Sequence, residues 1–220
     1  MGRRALRKVD PELDLSGYRY DLEEVSRPWD PAEFFGRAAP LEVELGSGKG
    51  LFLQNATGAH PDRNFLGLEV AQKYAAYCAA RLARRQLTNG KVICGDGLRF
   101  FREWMPPGCA AAVHVYFPDP WWKKRHRKRR VMTDAFLLDV QRVLEPGGEL
   151  HFWTDVEEYF RETLAMVATH PGLLGPFEVT ERPAEHDLDF RTHFERRCRL
   201  GALSVYRARF VRAADSAASP

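Results

Sequence analysis

Five apolar runs, four of them followed by a stretch read as helix, constrain this chain more than any other feature. The runs are Leu41–Leu45, Asn64–Val70, Lys91–Gly97, Ala110–Pro120 and Gly147–Asp155. Strands that alternate with helices at this spacing predict a doubly wound, mostly parallel α/β sheet. The runs read as nearly continuous hydrophobic segments, as strands buried on both faces should. Residues 71–86, 133–144 and 156–170 carry apolar or small side chains at helical intervals. Late runs at 177–183 and 203–210 suggest an antiparallel edge hairpin, with the polar segment Thr192–Arg197 between its strands. Residues 1–38 mix charge with Pro11, Pro28 and Pro31 and show no long period, so they read as a partly flexible arm. A single domain is expected over 39–213, followed by a flexible tail at 214–220.

In an open sheet of this kind, ligands bind beyond the carboxyl ends of the strands. Every strand here delivers a carboxylate to that rim: Glu44, Glu69, Asp96, Asp119 and Asp155. The first strand runs into "ELGSGKG", an E-x-G-x-G-x-G turn with glycines at Gly46, Gly48 and Gly50. A dinucleotide fingerprint needs its third glycine at position 51, which is Leu51. An acid at Glu44 would also repel a pyrophosphate. It suits instead a ligand carrying an amine, such as S-adenosylmethionine, which has an ammonium, a sulfonium and no phosphate. Glycines let its amino-acid end approach the backbone. Glu69 can accept both ribose hydroxyls. Asp96 can accept from the adenine amino group, with Gly95 and Gly97 leaving room for the ring. Taken singly, G-x-G-x-G is more often a tight turn, and an acid at a strand end more often caps a helix. Asp155, just before "VEEYF", has that alternative. Three acids at successive strand ends after one glycine loop put S-adenosylmethionine ahead of NAD.

The fourth strand ends in "YFPDPWWKKRHRKRR". Asp119 between Pro118 and Pro120 is an acid on a stiffened backbone, suited to hydrogen-bonding the N–H edge of a planar base. Trp121 or Trp122 can stack on such a base, which is worth roughly 1–3 kcal/mol, although at least one of them is expected to be plain core. Of the chain's 33 Lys/Arg, seven lie between Lys123 and Arg130, while the chain as a whole carries only +3. A basic block on a near-neutral body suits a polyanion contact at one place, the bland alternative being a solvated charge run. Arg81, Arg84 and Arg85 could extend it but fit a solvated helix face better. A base pocket next to a phosphate clamp makes the chain a nucleic-acid methyltransferase candidate.

The motifs "LEVELGSGKG", "FLGLEV", "YFPDPWWKKRHRKRR", "FWTD" and "RTHFERR" together resemble the bacterial tRNA (guanine-N7-)-methyltransferases, a class I S-adenosylmethionine-dependent family, over most of Leu41–Phe210. The resemblance implies methylation of a guanine in the tRNA variable loop. It implies that Glu44, Gly46, Gly48, Glu69, Asp96 and Asp119 line the S-adenosylmethionine site, with S-adenosylhomocysteine as product and Asp119 also the catalytic candidate. It further implies that Lys123, Asp155, Thr192, His193, Phe194 and Glu195 contact substrate. Arg125, His126, Arg127, Lys128, Arg129 and Arg130 would touch RNA. Trp122 stands where the family often has Pro or His. An amino-methyltransferase acting on DNA or a protein amide is the rival enzyme, and an RNA-binding module on a disused cofactor fold is the rival without catalysis.

No H-x-x-x-H, H-E-x-x-H or C-x-x-C pattern occurs, so no metal is expected, and Cys78, Cys94, Cys109 and Cys198 read as buried free thiols. "MGRRALRKVD" lacks an apolar h-region, and no run reaches membrane-spanning length, so a cytoplasmic location is expected without membrane contact. Monomer and homodimer both fit the sequence.

Overall fold

A computed structural model describes Leu6 and residues 8–181, 183–186 and 188–214. Strands β2 (Leu41–Leu45), β3 (Asn64–Glu69), β4 (Gly90–Cys94), β5 (Ala110–Tyr116) and β6 (Leu144–Thr154) form the parallel body of one sheet. Two strands close its far edge antiparallel: β8 (Tyr206–Arg212) pairs with β6, and β7 (Leu173–Phe177) pairs with β8. The other edge is β1 (Arg19–Asp21), parallel to β4, giving the order β1-β4-β3-β2-β5-β6-β8-β7.

Helices α2 (Leu51–Ala59) and α3 (Gln72–Ala83) cover one face. Helices α4 (Gly97–Glu103), α5 (Asp134–Val143) and α6 (Glu157–Val167) cover the other. Val43, Leu66, Leu68, Val113, Val115, Leu150 and Phe152 turn to the second group, where Phe100, Phe101, Phe136, Val140 and Tyr159 complete a continuous core. Phe65, Val92, Tyr116 and Trp153 turn to the first, with Phe52, Leu53, Cys78 and Leu82. This alternation is the period-2 geometry of a strand. Cys78, Cys94 and Cys198 are buried, Cys109 is half-buried, and all four are free.

The segment read as an arm is built into the fold from Arg19 onward. Besides β1 it contributes a 3-10 turn (Leu22–Glu24) and α1 (Pro31–Phe35), and Leu22, Val25, Trp29 and Phe35 are buried in the main core. Asp30 caps α1 by accepting from the Ala32 and Glu33 amides at 2.6 and 3.2 Å. A Cβ on Gly95 would lie 2.4 Å from Leu22 Cβ, and one on Gly97 would lie 2.3 Å from Leu45 Cδ1. The Cβ side of each of these glycines is therefore filled by a neighbouring side chain, so both also serve packing. Leu22→Ala is expected to lower stability by about 2–5 kcal/mol, measured by urea unfolding; an unchanged midpoint would make the segment a mere appendage.

The C-terminal third differs from its sequence expectation in two places. The edge strand is Leu173–Phe177, not 177–183, and the polar segment between the edge strands is not a turn. It forms α7 (His193–Leu200), with Thr192 as N-cap accepting from the Glu195 amide at 3.0 Å. The foreseen tail at 214–220 falls outside the described residues beyond Ala214, as do Arg3, Arg4 and Arg7 of the basic N-terminus. Among the described residues, no helix is long and apolar enough to cross a membrane.

Candidate active site at the carboxyl rim

Because β2 to β6 all run parallel, their last residues share one edge. Leu45 registers with both Leu68 and Val115, Glu69 with Cys94, and Tyr116 with Trp153. Glu44, Glu69, Asp96, Asp119 and Asp155 therefore stand along one rim of the sheet.

The loop after β2 is held open by hydrogen bonds from its own backbone. Gly46 and Ser47 amides donate to Leu68 O at 2.8 and 3.1 Å, and Gly50 N donates to Ser47 O at 2.8 Å. Gly46 and Gly48 have φ of +82° and +51°, which glycine adopts without strain. A Cβ on Gly46 would meet nothing within 4 Å, and one on Gly48 only Gly46 O at 3.9 Å. Gly50 differs: a Cβ there would lie 2.2 Å from Cys78 Sγ, so this glycine serves helix packing. Glu69 clasps the loop by accepting from Gly48 N at 2.8 Å and Ala71 N at 2.9 Å.

Glu44 is buried, 3% exposed, and its Oε2 has no hydrogen-bond partner. Burial pushes its carboxyl well above the usual carboxylate range; Glu69 pushes the same way and Arg191 opposes them. A buried, unpaired acid is costly unless something cationic meets it. The ammonium of an amino-acid ligand is such a group, and the open glycine backbone beside Glu44 suits its approach. The residues thus fit S-adenosylmethionine on structural grounds.

Asp96 is exposed and its Oδ1 accepts from Leu98 N and Arg99 N at 3.0 and 3.2 Å, so it caps α4. Its second oxygen remains as an acceptor for a ligand amine. Asp155 does not cap α6. Val156 occupies that position without a side-chain hydrogen bond, so the bland alternative for Asp155 falls away.

Asp119 is exposed on a turn bracketed by Phe117 and Trp121, both at left-handed φ, +52° and +44°. Such conformations cost on the order of 1–3 kcal/mol for ordinary residues and persist only where the surroundings enforce them. Phe117 N donates to Trp153 O at 2.8 Å, and its ring stacks on Phe194 at 5.4 Å. That stack brings the start of α7 against the turn that carries Asp119. Neither tryptophan is core, contrary to expectation: Trp122 is 64% exposed, and half-buried Trp121 lies edge-on to His126 at 5.8 Å with Arg129 over its ring at 5.1 Å.

The basic block forms a 3-10 helix over Lys124–Arg129 with Lys123 as N-cap. Its cations divide into two groups. Arg127 pairs with Glu158 at 2.7 Å and Glu162 at 2.8 Å. Arg130 is buried, donates to Pro120 O at 2.7 Å and to Glu162, and stacks over Tyr159 at 4.6 Å. These two fasten the block to α6, which corrects the expectation that Arg130 lies open to RNA. Lys123, Arg125, Lys128 and Arg129 are exposed.

In α7, Thr192 and Glu195 form a capping pair. Glu195 is buried and accepts from Arg191 N at 2.6 Å and Arg207 at 3.1 Å. His193 meets Arg81 at 3.0 Å, and Arg81 also donates to Lys49 O at 3.3 Å, so Arg81 ties α3 to the glycine loop and to α7. Phe194 is partly exposed.

Sequence reasoning missed a polar chain beneath this site. Glu42, His114 and Tyr116 occupy the same sheet face as Glu44. His114 lies 2.8 Å from Glu42 Oε2 and 2.9 Å from the Tyr116 hydroxyl, and stacks on His151 at 4.9 Å. Burial pushes His114 down, so it is neutral at neutral pH. Burial acts upward on Glu42, but contacts with His114 and Arg63 outweigh it and keep the carboxyl below its ordinary range.

The comparisons with known proteins agree with this geometry. Residues 38–208 match the model of a family described as putative methyltransferase. A tRNA (guanine-N(7)-)-methyltransferase of Rhodopirellula baltica is 47% identical over 213 residues, covering 94% of this chain and 79% of that protein. The chain belongs to the tRNA (guanine-N7-)-methyltransferase family. A second member, from Alcanivorax borkumensis, is 36% identical over 84% of this chain and 77% of its own length. The 16S rRNA methyltransferase KamB superposes with a TM-score of 0.60 at 15% identity, covering 84% of this chain and 94% of that one, a likeness of fold alone. With this family assigned, the strand-end acids belong to an S-adenosylmethionine-dependent methyltransferase, not to a nicotinamide enzyme.

Proposed function

We propose that this protein methylates N7 of a guanine in the tRNA variable loop, with Asp119 as the catalytic group. As a member of its family it is an S-adenosylmethionine-dependent enzyme that forms 7-methylguanosine in tRNA. The Phe117–Phe194 stack carries the assignment of residues, because it joins the Asp119 turn to the Thr192–Glu195 segment beside the donor loop.

Glu44 holds the donor's ammonium, Gly46 and Gly48 admit its amino-acid end, Glu69 takes the ribose hydroxyls and Asp96 the adenine amine. Bound S-adenosylmethionine supplies an electrophilic methyl. Guanine N7 has an in-plane lone pair and no proton, so no strong base is needed. What the chain must do is orient the base and offset the positive charge that grows on it. Asp119 does the second and, with Asp155, accepts from the guanine N1–H and exocyclic amine. Lys123, the half-buried cap Thr192 and the exposed His193 and Phe194 border the base. Glu195 acts through the α7 cap and Arg207. Reaching N7 in a folded tRNA requires the base to leave its tertiary contacts.

Arg125, His126, Lys128 and Arg129 meet the flanking phosphates, which positions RNA without reading sequence. A triple Arg125→Ala, Lys128→Ala, Arg129→Ala variant is expected to bind tRNA with a salt slope reduced by about two to three. An unchanged slope in filter binding from low to high salt would remove the block from the interface. The tRNA substrate makes the cytoplasm the working compartment.

Incubation with methyl-labelled S-adenosylmethionine and unmodified tRNA, followed by chemical cleavage at 7-methylguanosine, tests the whole reading. A cut in the variable loop is expected. Label that resists cleavage defeats the N7 assignment, and a cut elsewhere defeats the loop.

A further inference from the structure

Arg191 immediately precedes the α7 cap, yet it turns toward the sheet. Its guanidinium donates to the Tyr116 hydroxyl at 3.2 Å and lies 5.6 Å from the Phe52 ring, 5.9 Å from Tyr116 and 5.4 Å from Trp153. Phe52 is in the first turn of α2, directly after the glycine loop. Tyr116 is the next residue on the same face after His114, the register partner of Glu44. Arg191 therefore stands over the corner where Glu44 and the glycine loop meet. Its charge is felt at Glu44, where it acts against burial and Glu69. Nonetheless Glu44 Oε2 is unpartnered, and no ion pair joins Glu44 to Arg191 among the described residues.

The direction of Arg191 is imposed from behind. A carboxylate can only accept, so the neutral His114 carries its proton on Nε2 and donates to Glu42. His114 Nδ1 then accepts from the Tyr116 hydroxyl, leaving that oxygen to accept from Arg191. Glu42 is anchored in turn by Arg63 at 2.8 Å. Each buried group in this chain has the partner it needs, which is what makes such a network rigid.

We propose that Arg191 receives the α-carboxylate of the methyl donor while Glu44 receives its ammonium, and that Tyr116, His114 and Glu42 are positioning residues for Arg191. The proposal rests on the reading of Glu44 given above. It resolves a conflict in that reading: two acids, Glu44 and Glu69, flank the entry of a ligand whose amino-acid end also bears a carboxylate. A fixed cation beside them turns a site that would repel this group into one that reads the zwitterion. Arginine suits the task because its planar fork matches a carboxylate.

Calorimetric titration with S-adenosylmethionine and with its decarboxylated analogue tests this. Arg191→Gln is expected to weaken S-adenosylmethionine binding by about 10- to 100-fold and to leave the decarboxylated compound within twofold of wild type. Retained affinity for the second ligand also certifies that the variant is folded. Tyr116→Phe is expected to give a smaller loss, confined to the carboxylate-bearing ligand. Equal loss for both ligands, or for neither, overturns the proposal, as does a loss seen only in tRNA binding. Glu44→Gln keeps the two assignments apart. If it leaves both ligands unaffected, the Glu44 reading fails, whereas a carboxylate-selective loss in Arg191→Gln still upholds Arg191.

Discussion

Asp119→Asn is expected to lower kcat by about 10²- to 10³-fold while the dissociation constant for S-adenosylmethionine changes less than threefold. Asparagine keeps the shape of the side chain, and the flanking Pro118 and Pro120 preserve the turn. What disappears is the negative charge next to a purine that becomes cationic as the methyl arrives. Among the described residues no hydrogen bond or ion pair engages the Asp119 carboxylate, so the substitution breaks nothing that holds the fold. A charge that matters only as the reaction proceeds acts on turnover rather than on binding. Single-turnover kinetics at saturating tRNA, paired with donor titration, separates the two. Equal losses in both would make Asp119 chiefly a donor ligand.

The parallel body of the sheet was legible because strands buried on both faces leave an apolar run in the sequence, and β2 to β6 each did. Strand β1 leaves none: Arg19–Asp21 joins through backbone pairing with Val92–Cys94, and the buried Leu22, Val25 and Trp29, although three and four residues apart, lie on a 3-10 turn and the loop after it rather than on a helix. Helix α4 is too short to show a period, although Asp96 and the apolar Phe100 and Phe101 mark it. Helix α7 was hidden by its charge, since "HFERRCRL" offers few apolar side chains to the core. Its T-x-x-E capping signature was the available signal.

The site divides the same way. Acids at strand ends are predictable because topology alone carries them to the rim. The Arg191 chain is not, because its members belong to different contexts: His114 and Tyr116 lie inside an apolar run, Glu42 alternates with leucine and valine, and Arg191 sits among surface arginines. Only the register of β2 on β5 brings the first three together. The basic block shows the opposite error. Its seven charges read as one run, but the fold ties Arg127, at the surface, and Arg130, buried, to acids of α6. Of the rival readings, the amino-methyltransferase shares the fold, and the family relationship decides against it. The disused-fold module would not need Glu44 left buried and unpaired.

That unpaired acid leads to the second large effect. Glu44→Gln is expected to weaken S-adenosylmethionine binding by about 10- to 100-fold and, at the same time, to raise the melting temperature of the free protein at pH 8. The folded state holds this carboxyl well above its ordinary value, chiefly by burial. Folding therefore favours the protonated form. The contribution to stability is present in full below the unfolded value and is lost as pH rises through the folded one. Glutamine carries no charge at any pH, so the gain over wild type should shrink as pH falls toward 5. In the wild type, the donor's ammonium supplies the partner that the ionised form lacks. Donor binding should then expel a proton, tighten as pH rises, and give heats that differ between buffers of different ionisation enthalpy. Stability lost together with donor affinity retained would mark Glu44 as a packing residue and remove it from the site; the opposite pattern is what a group strained in the service of binding should give.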